Sequence, residues 1–361
     1  MPREPGQDAR QGRSCGDAVG DEAAPGASDG PDPSPRDDRL TEGRHVCRGG
    51  EGRRGDEGLR REARVAESPA IGASRRTVLA SLAGAVGLAF TSRVSAVAAP
   101  RRVAATTTLT VVAHPDDDLL FCAPHVISDV QAGYNTWVLY LTAGNVQPND
   151  LNYADQRAHG VRAAYARMAR VANSWHHEPM MLGGHEVATS VLQGTNVRLL
   201  FPYIHAASAP RVEDGDLHRL WHDPSFVAHP LDGRAPYTRG SLVAMLRALY
   251  EKTNPSYIRT QDTTASRAAS HLDHICGALF AAEADTANGS TVRRRDEYYD
   301  YQAQHMAQNV SGYWETEKRE AYQQYRGYDY LSAPWEPMMT RQHQRKVYQA
   351  GEAWKGRTDP I

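Results

Sequence analysis

The stretch LTVVAHPDDDLLF, Leu109–Phe121, decides how this chain is read. An apolar, β-branched run stops abruptly at His-Pro-Asp-Asp-Asp, and an apolar helical pattern starts at Leu119. A run of about five such residues bounded by a breaker reads as a buried parallel strand. His114, Asp116 and Asp117 then stand at its carboxyl end, where open α/β sheets bind their ligands. Pro115 fixes its own φ and drives His114 out of the helical region, so the His114 and Asp117 side chains can converge from an extended turn. One imidazole and two carboxylates so close together make half of a first-row metal site, with a base to spare.

The other half lies far downstream. Ser270-His271-Leu272-Asp273-His274 opens the apolar stretch Ile275–Ala284, which has helical character, and His271 and His274 are spaced to share a helix face. His114, Asp117 and His274 together offer zinc two nitrogens and one oxygen and leave a fourth position for water, the composition of a catalytic rather than a structural site. Asp116 is left over to take the proton of that water. The same donors also accept Fe(II), Co(II) or Ni(II). Alone, a His-Pro-Asp turn is an ordinary capped helix start; the metal reading rests on both segments occurring in order, the first at a strand end. His176, His177, His205, His218, His222 and His229 fall in a polar midsection and read as loop or surface.

The pairing of AHPDD after the first strand with HxDH downstream resembles the PIG-L/LmbE-like zinc-dependent N-deacetylases, which remove acetyl groups from N-acetylglucosaminyl conjugates. The likeness runs from Leu109 to Ala284 and more loosely to Tyr330. It implies an α/β class: a single Rossmann-like domain with a mostly parallel sheet flanked by helices and the active site at the carboxyl ends of the strands. It further implies His114, Asp117 and His274 as Zn2+ ligands and Asp116 as general base. His271 becomes the acid or oxyanion partner, with Asp273 holding a histidine in orientation. Asp118 stands where the family often has Glu, a departure that resembles the secreted actinobacterial-type members. The partner implied is a small molecule or glycoconjugate containing N-acetylglucosamine: a cell-wall fragment, a polysaccharide, or a glycopeptide-antibiotic sugar. Two other readings compete, a carbohydrate-binding protein that keeps the pocket without turnover and a different zinc amidase or esterase. A lectin has no need for Asp116 beside its metal.

Residues 1–73 are rich in Gly, Pro, Asp, Glu and Arg and lack aliphatic periodicity, so they are expected to be a disordered leader. After Met1 the next methionine is Met168, and translation is expected to start at Val65 instead. Residues 74–98 read as a twin-arginine signal: Arg75-Arg76, the apolar run Val78–Phe90, then Ala96-Val97-Ala98. That run is well short of the ~20 residues of a membrane span, so no span is expected after signal removal, and the protein is expected to be secreted or at the cell surface. Residues 99–361 remain as the deacetylase domain. A formal net charge of −2 and no basic stripe exclude nucleic acid as a partner. Cys122 and Cys276 follow proposed ligands closely and read as two buried free thiols.

Within the domain, Asn135–Thr142 is a second strand, reached through a helix that Gly133 ends, which makes a βαβ unit and sets the Thr142–Asn145 turn beside His114. A helix is expected over Asp155–Ala172, with Tyr165 and Met168 in the core. Val187–Val191 and Val197–Phe201 form a hairpin. The span Pro202–Tyr237 has no periodicity and reads as a lid or substrate wall. Ser241 caps a helix to Lys252, and Tyr257–Thr260 is a short buried strand. The tyrosine-rich tail Tyr298–Trp335 offers aromatics that stack on sugar faces or anchor helices to the sheet, and anchoring is the expected role.

Overall fold

A computed structural model describes residues 106–287, 293–350, 352 and 354, so the expected leader, signal and start site lie outside the described residues. In chain order the elements are β1 Thr107–Val112, α1 His125–Gln131, β2 Asn135–Tyr140, α2 Leu151–Ala169, β3 Trp175–His177, β4 Met180–Leu182, β5 His185–Leu192 and β6 Val197–Phe201. These are followed by α3 Asp216–His222, α4 Arg239–Thr253, β7 Tyr257–Gln261, α5 Leu272–Ala287, β8 Arg294–Tyr298, α6 Gly312–Arg326, α7 Glu336–Met339 and β9 Gln344–Tyr348.

The strands form one mixed sheet in the order β3-β5-β6-β2-β1-β7-β8-β9, with β4 on β5. Its centre, β6-β2-β1-β7-β8, is parallel throughout. The antiparallel pairs lie toward the margins, including the expected β5-β6 hairpin, where Ala188 faces Phe201. Because β1 pairs with β2 on one side and with the much later β7 on the other, the order reverses at β1/β7. Crevices open at the carboxyl ends of such a switch point.

Alternation along the strands divides the core in two. Val138 and Tyr140 of β2 face α1, α2 and α6, whereas Trp137, Leu139 and Leu141 face α3, α4 and α5. Full burial of each aliphatic side chain here contributes about 1.5–3 kcal/mol. Cys122 and Cys276 are buried, free and in opposite layers, so the sheet separates them. The tail does anchor: Ala321, Tyr322 and Tyr325 of α6 pack in the first layer against α2.

Several local expectations are corrected. The helix expected from Leu119 is a single π-helical turn over Asp118–Cys122 and a separate α1, because Pro124 cannot continue the first turn. Helix α2 begins at Leu151, where Asp150 accepts the Tyr153 N–H at 2.9 Å, and ends before Arg170, which is left-handed. Thr238, not Ser241, caps α4; the Thr238 hydroxyl accepts the Ser241 N–H, while Ser241 Oγ accepts the Thr238 N–H in return. The span 202–237 contains α3, whose Leu217 and Leu220 enter the second layer. His218, expected in a loop or at the surface, is buried on that helix with its ring 4.3 Å from that of the exposed His222. No helix among the described residues is long and apolar enough to cross a membrane.

Candidate metal centre

Strand β1 ends with Val112, and after Ala113 the residues His114–Asp117 form a tight turn. The Asp116 and Asp117 amides both donate to the His114 carbonyl, and the Asp117 carboxylate accepts the His114 N–H at 2.7 Å. Asp117 is thereby fixed below the His114 ring. Across the switch point, the chain leaving β7 enters α5 at Leu272, so His271 stands at the helix entrance and His274 one turn in.

Three side chains converge, Asp117 through both of its carboxylate oxygens. His114 Nδ1 lies 3.1 Å from His274 Nε2 and 3.3 Å from Asp117 Oδ2, and His274 Nε2 lies 3.1 Å from Asp117 Oδ1. Ligands held about 2.0–2.2 Å from one tetrahedral ion stand about 3.3–3.5 Å apart. All three residues are buried, and their two nitrogens and one oxygen suit a divalent cation. His114, His271 and Asp273 form a second group able to hold an ion. The first group fits better, because in the second His271 Nδ1 already accepts the Asp273 N–H at 3.1 Å and stands 3.9 Å from the Asp273 carboxylate.

Each candidate imidazole ligand is held from behind by a carboxylate. His114 Nε2 meets Asp273 Oδ2 at 3.2 Å, and His274 Nδ1 meets Asp300 Oδ2 at 2.9 Å. Such partners fix tautomer and ring orientation at metal sites. Asp273 thus orients His114 and not His271, and it also accepts the Ala207 N–H at 2.7 Å, tying down the loop over the site. Ser270 Oγ donates to the same Asp300 oxygen.

Asp116 stands beside the donor triangle and lines a cavity of about 170 Å³, as do His114, Gly144, Asn145, Arg157, His271 and Tyr301. Arg157, from α2, pairs with Asp116 Oδ1 at 2.7 Å and donates to the Gly144 and Pro115 carbonyls. Gly144 has φ +64°, and a Cβ there would lie 2.1 Å from Arg157 Nη1, so only glycine lets the guanidinium through. Asp116 itself adopts φ 152°, a conformation that a non-glycine residue keeps only when its surroundings impose it. Asp118 is wholly buried and accepts the Tyr140 and Tyr165 hydroxyls at 3.1 and 2.5 Å, so it belongs to the layer beneath the site.

The electrostatics separate the acids. Burial pushes Asp116 up to about 7 against the pull of Arg157. Asp117 lies well below its ordinary value, since the His274 and His114 rings outweigh the burial that would raise it. Burial likewise opposes the rise of His274, but the Asp117 and Asp300 carboxylates carry it to about 10. His271 goes the other way: burial, then neighbouring His114, lower it to about 3. With Nδ1 accepting an amide hydrogen, neutral His271 carries its proton on Nε2. A proton and a divalent cation compete for the imidazoles of such a site, and metal binding releases the proton.

The structure brings His114, Asp116, Asp117, His271, Asp273 and His274 to one crevice. Sequence reasoning missed Arg157, Asp300 and Tyr301. None of the three left a local signal; Asp300 follows Asp296 and Glu297 closely, and only the sheet order singles it out.

This arrangement, a switch-point crevice in an α/β sheet with a buried His/Asp cation site, defines a metal-dependent hydrolase. Residues 109–284 match the family described as PIG-L: GlcNAc-PI de-N-acetylase. Among solved structures it is similar to a deacetylase of the teicoplanin biosynthetic pathway, with 16% identity over 61% of this chain and 81% of that one and a TM-score of 0.36. It is also similar to N,N'-diacetylchitobiose deacetylase from Pyrococcus horikoshii, at 14% identity over 65% and 76% of the two chains with a TM-score of 0.39. A third likeness is to GalB, the 4-carboxy-2-hydroxymuconate hydratase of Pseudomonas putida KT2440, at 13% identity over 64% and 82% with a TM-score of 0.38. No curated protein matches the chain.

Proposed function

We propose that this chain is an exported, metal-dependent N-deacetylase acting on an N-acetylglucosaminyl conjugate, a member of the secreted branch of the PIG-L/LmbE-like deacetylases. The observation that carries the reading is the donor triangle of His114, Asp117 and His274, with edges of 3.1–3.3 Å, and an acid of raised pKa beside it that is not part of the triangle. A divalent cation held there supplies Lewis acidity toward the acetyl carbonyl and lowers the pKa of water to about 7.

The chain's own groups complete the chemistry. Asp116, poised near neutrality, takes a proton from the attacking water and returns it to the departing amine nitrogen, so that water and amide become acetate and amine. Arg157 holds the Asp116 carboxylate at the cavity wall. Neutral His271 offers its Nε2 hydrogen to the developing oxyanion, the oxyanion-partner role among the two that the family likeness implies. The Gly144–Asn145 turn and the 206–210 loop wall the cavity.

The test is metal analysis of the purified domain, residues 99–361, followed by incubation with N-acetylglucosamine conjugates and mass spectrometry. Stoichiometric zinc and loss of one acetyl group are expected. A metal-loaded protein that deacetylates none of them would overturn the proposal.

A further inference from the structure

A second and larger cleft adjoins the cavity of the metal centre. Its volume is about 770 Å³, and it shares Ala209, Pro210 and Tyr301 with that cavity, so the two are neighbours. The lining is mostly apolar, with Pro210, Val212, Ala268, Ala269, Tyr301 and Trp335 contributing to it. Ser270, Gln302, Gln304 and His305 add polar side chains, no carboxylate lines it, and Arg211 donates from Nη2 to the Ala268 carbonyl at 2.7 Å.

The aromatic side is built as a stack. Tyr301 lies over His274 at 5.4 Å with a 32° tilt, and Trp335 lies over Tyr301 at 5.4 Å and 27°. Trp335 therefore sits one ring beyond the ring that covers the candidate metal ligand. Its backbone is left-handed, with φ 49° and ψ 37°. A bulky residue in that region is an outlier that costs about 1–3 kcal/mol, and such strain clusters at ligand clamps. Val212, also lining the cleft, is 42% exposed for so apolar a side chain.

We propose that this cleft holds an aromatic aglycone, an aryl group attached to the N-acetylated sugar and packed on Trp335. The inference rests on the deacetylase reading for the sugar it follows, and it adds the chemical class of the leaving conjugate. A ring buried in the cleft gains both apolar burial and an offset stack on the indole.

Four N-acetylglucosaminides test it: methyl, 2-naphthyl, octyl, and the chito-tetrasaccharide. Binding is read by calorimetry on metal-stripped protein, and kcat/KM on the zinc-loaded enzyme. The naphthyl glycoside is expected to bind about tenfold more tightly than the methyl glycoside, with the same ratio in kcat/KM. Trp335→Leu keeps apolar bulk without the stack and is expected to bring that ratio close to one. Val212→Asp, at an exposed position that leaves the core untouched, is expected to do the same. An equal preference for octyl and naphthyl that survives Trp335→Leu, or a preference for the tetrasaccharide, would overturn the aromatic assignment. If no conjugate is deacetylated but the naphthyl glycoside still binds through Trp335, the deacetylase reading falls and the cleft assignment stands. If all four are deacetylated with equal efficiency, the reverse holds.

Discussion

Asp300→Asn isolates the carboxylate that stands behind His274. In the wild-type chain the Asp300 oxygen lies 2.9 Å from His274 Nδ1, and the ring it orients is completely buried, so no water can replace it. Losing such a partner costs about 10–100-fold in metal affinity, or about 1.4–2.8 kcal/mol. The pH dependence gives a second, independent reading. Without a cation His274 is raised to about 10, the Asp117 and Asp300 carboxylates outweighing burial, and metal binding must displace that proton. Apparent affinity therefore rises with pH toward about 10 in the wild type, by up to about tenfold per unit. In Asp300→Asn the imidazole loses one of its two carboxylates, its pKa falls, and the rise levels off sooner. The gap between the two proteins is then narrower at pH 6.5 than at pH 8.5. The metal-free protein carries the matching stability signature. A folded pKa above the unfolded value contributes stability that is full below about 6.5 and is lost as pH climbs through about 10. Competition for zinc against a chromophoric chelator at the two pH values, with thermal unfolding as the check on folding, measures all of this. Unchanged affinity in Asp300→Asn at both, or a wild-type affinity independent of pH, would refute the reasoning.

Asp116→Asn is expected to retain full zinc while turnover drops about 10²–10⁴-fold, checked by metal analysis and product mass spectrometry on one preparation. His274→Ala removes a corner of the donor triangle and is expected to abolish zinc binding in a protein whose circular dichroism is unchanged. Gly144→Ala forces a Cβ to within 2.1 Å of the Arg157 guanidinium and imposes a left-handed alanine, so a drop in melting temperature and a loss of kcat are expected together. Arg75→Lys with Arg76→Lys is expected to hold the precursor in the cytoplasm, read by fractionation.

What could be read beforehand was local. The apolar run into His114 and the His271–His274 helix start declare a strand end and a helix face within a few residues, and together they locate the crevice. The groups that aim the site could not be read in this way. Arg157 meets Asp116 from another helix, and Asp300 meets His274 only because β8 lies beside β7 in the sheet. Asp118 was visible as a departure from the family pattern, but its partners Tyr140 and Tyr165 are set by packing across two elements. Strand β8, Arg294–Tyr298, is full of charge and offers no alternation; it is buried because Arg295 pairs with Asp285 at 2.5 Å and Glu297 accepts from Thr263 and Trp354. Thr238 and Ser241 are both good caps three residues apart, and only the backbone geometry decides between them.

The order of the sheet also governs when a cation can first be gripped. His114 and Asp117 leave the ribosome early, yet by themselves they are only a bidentate corner. His274 arrives with α5, and its orienting Asp300 follows β8, which has no place until β7 has docked on β1. During synthesis the ion can thus be bound firmly only once most of the chain has been made and the sheet has closed around its switch point. Bound metal then serves as a chemical record of finished folding, and a chain truncated before residue 300 should be born unable to keep it.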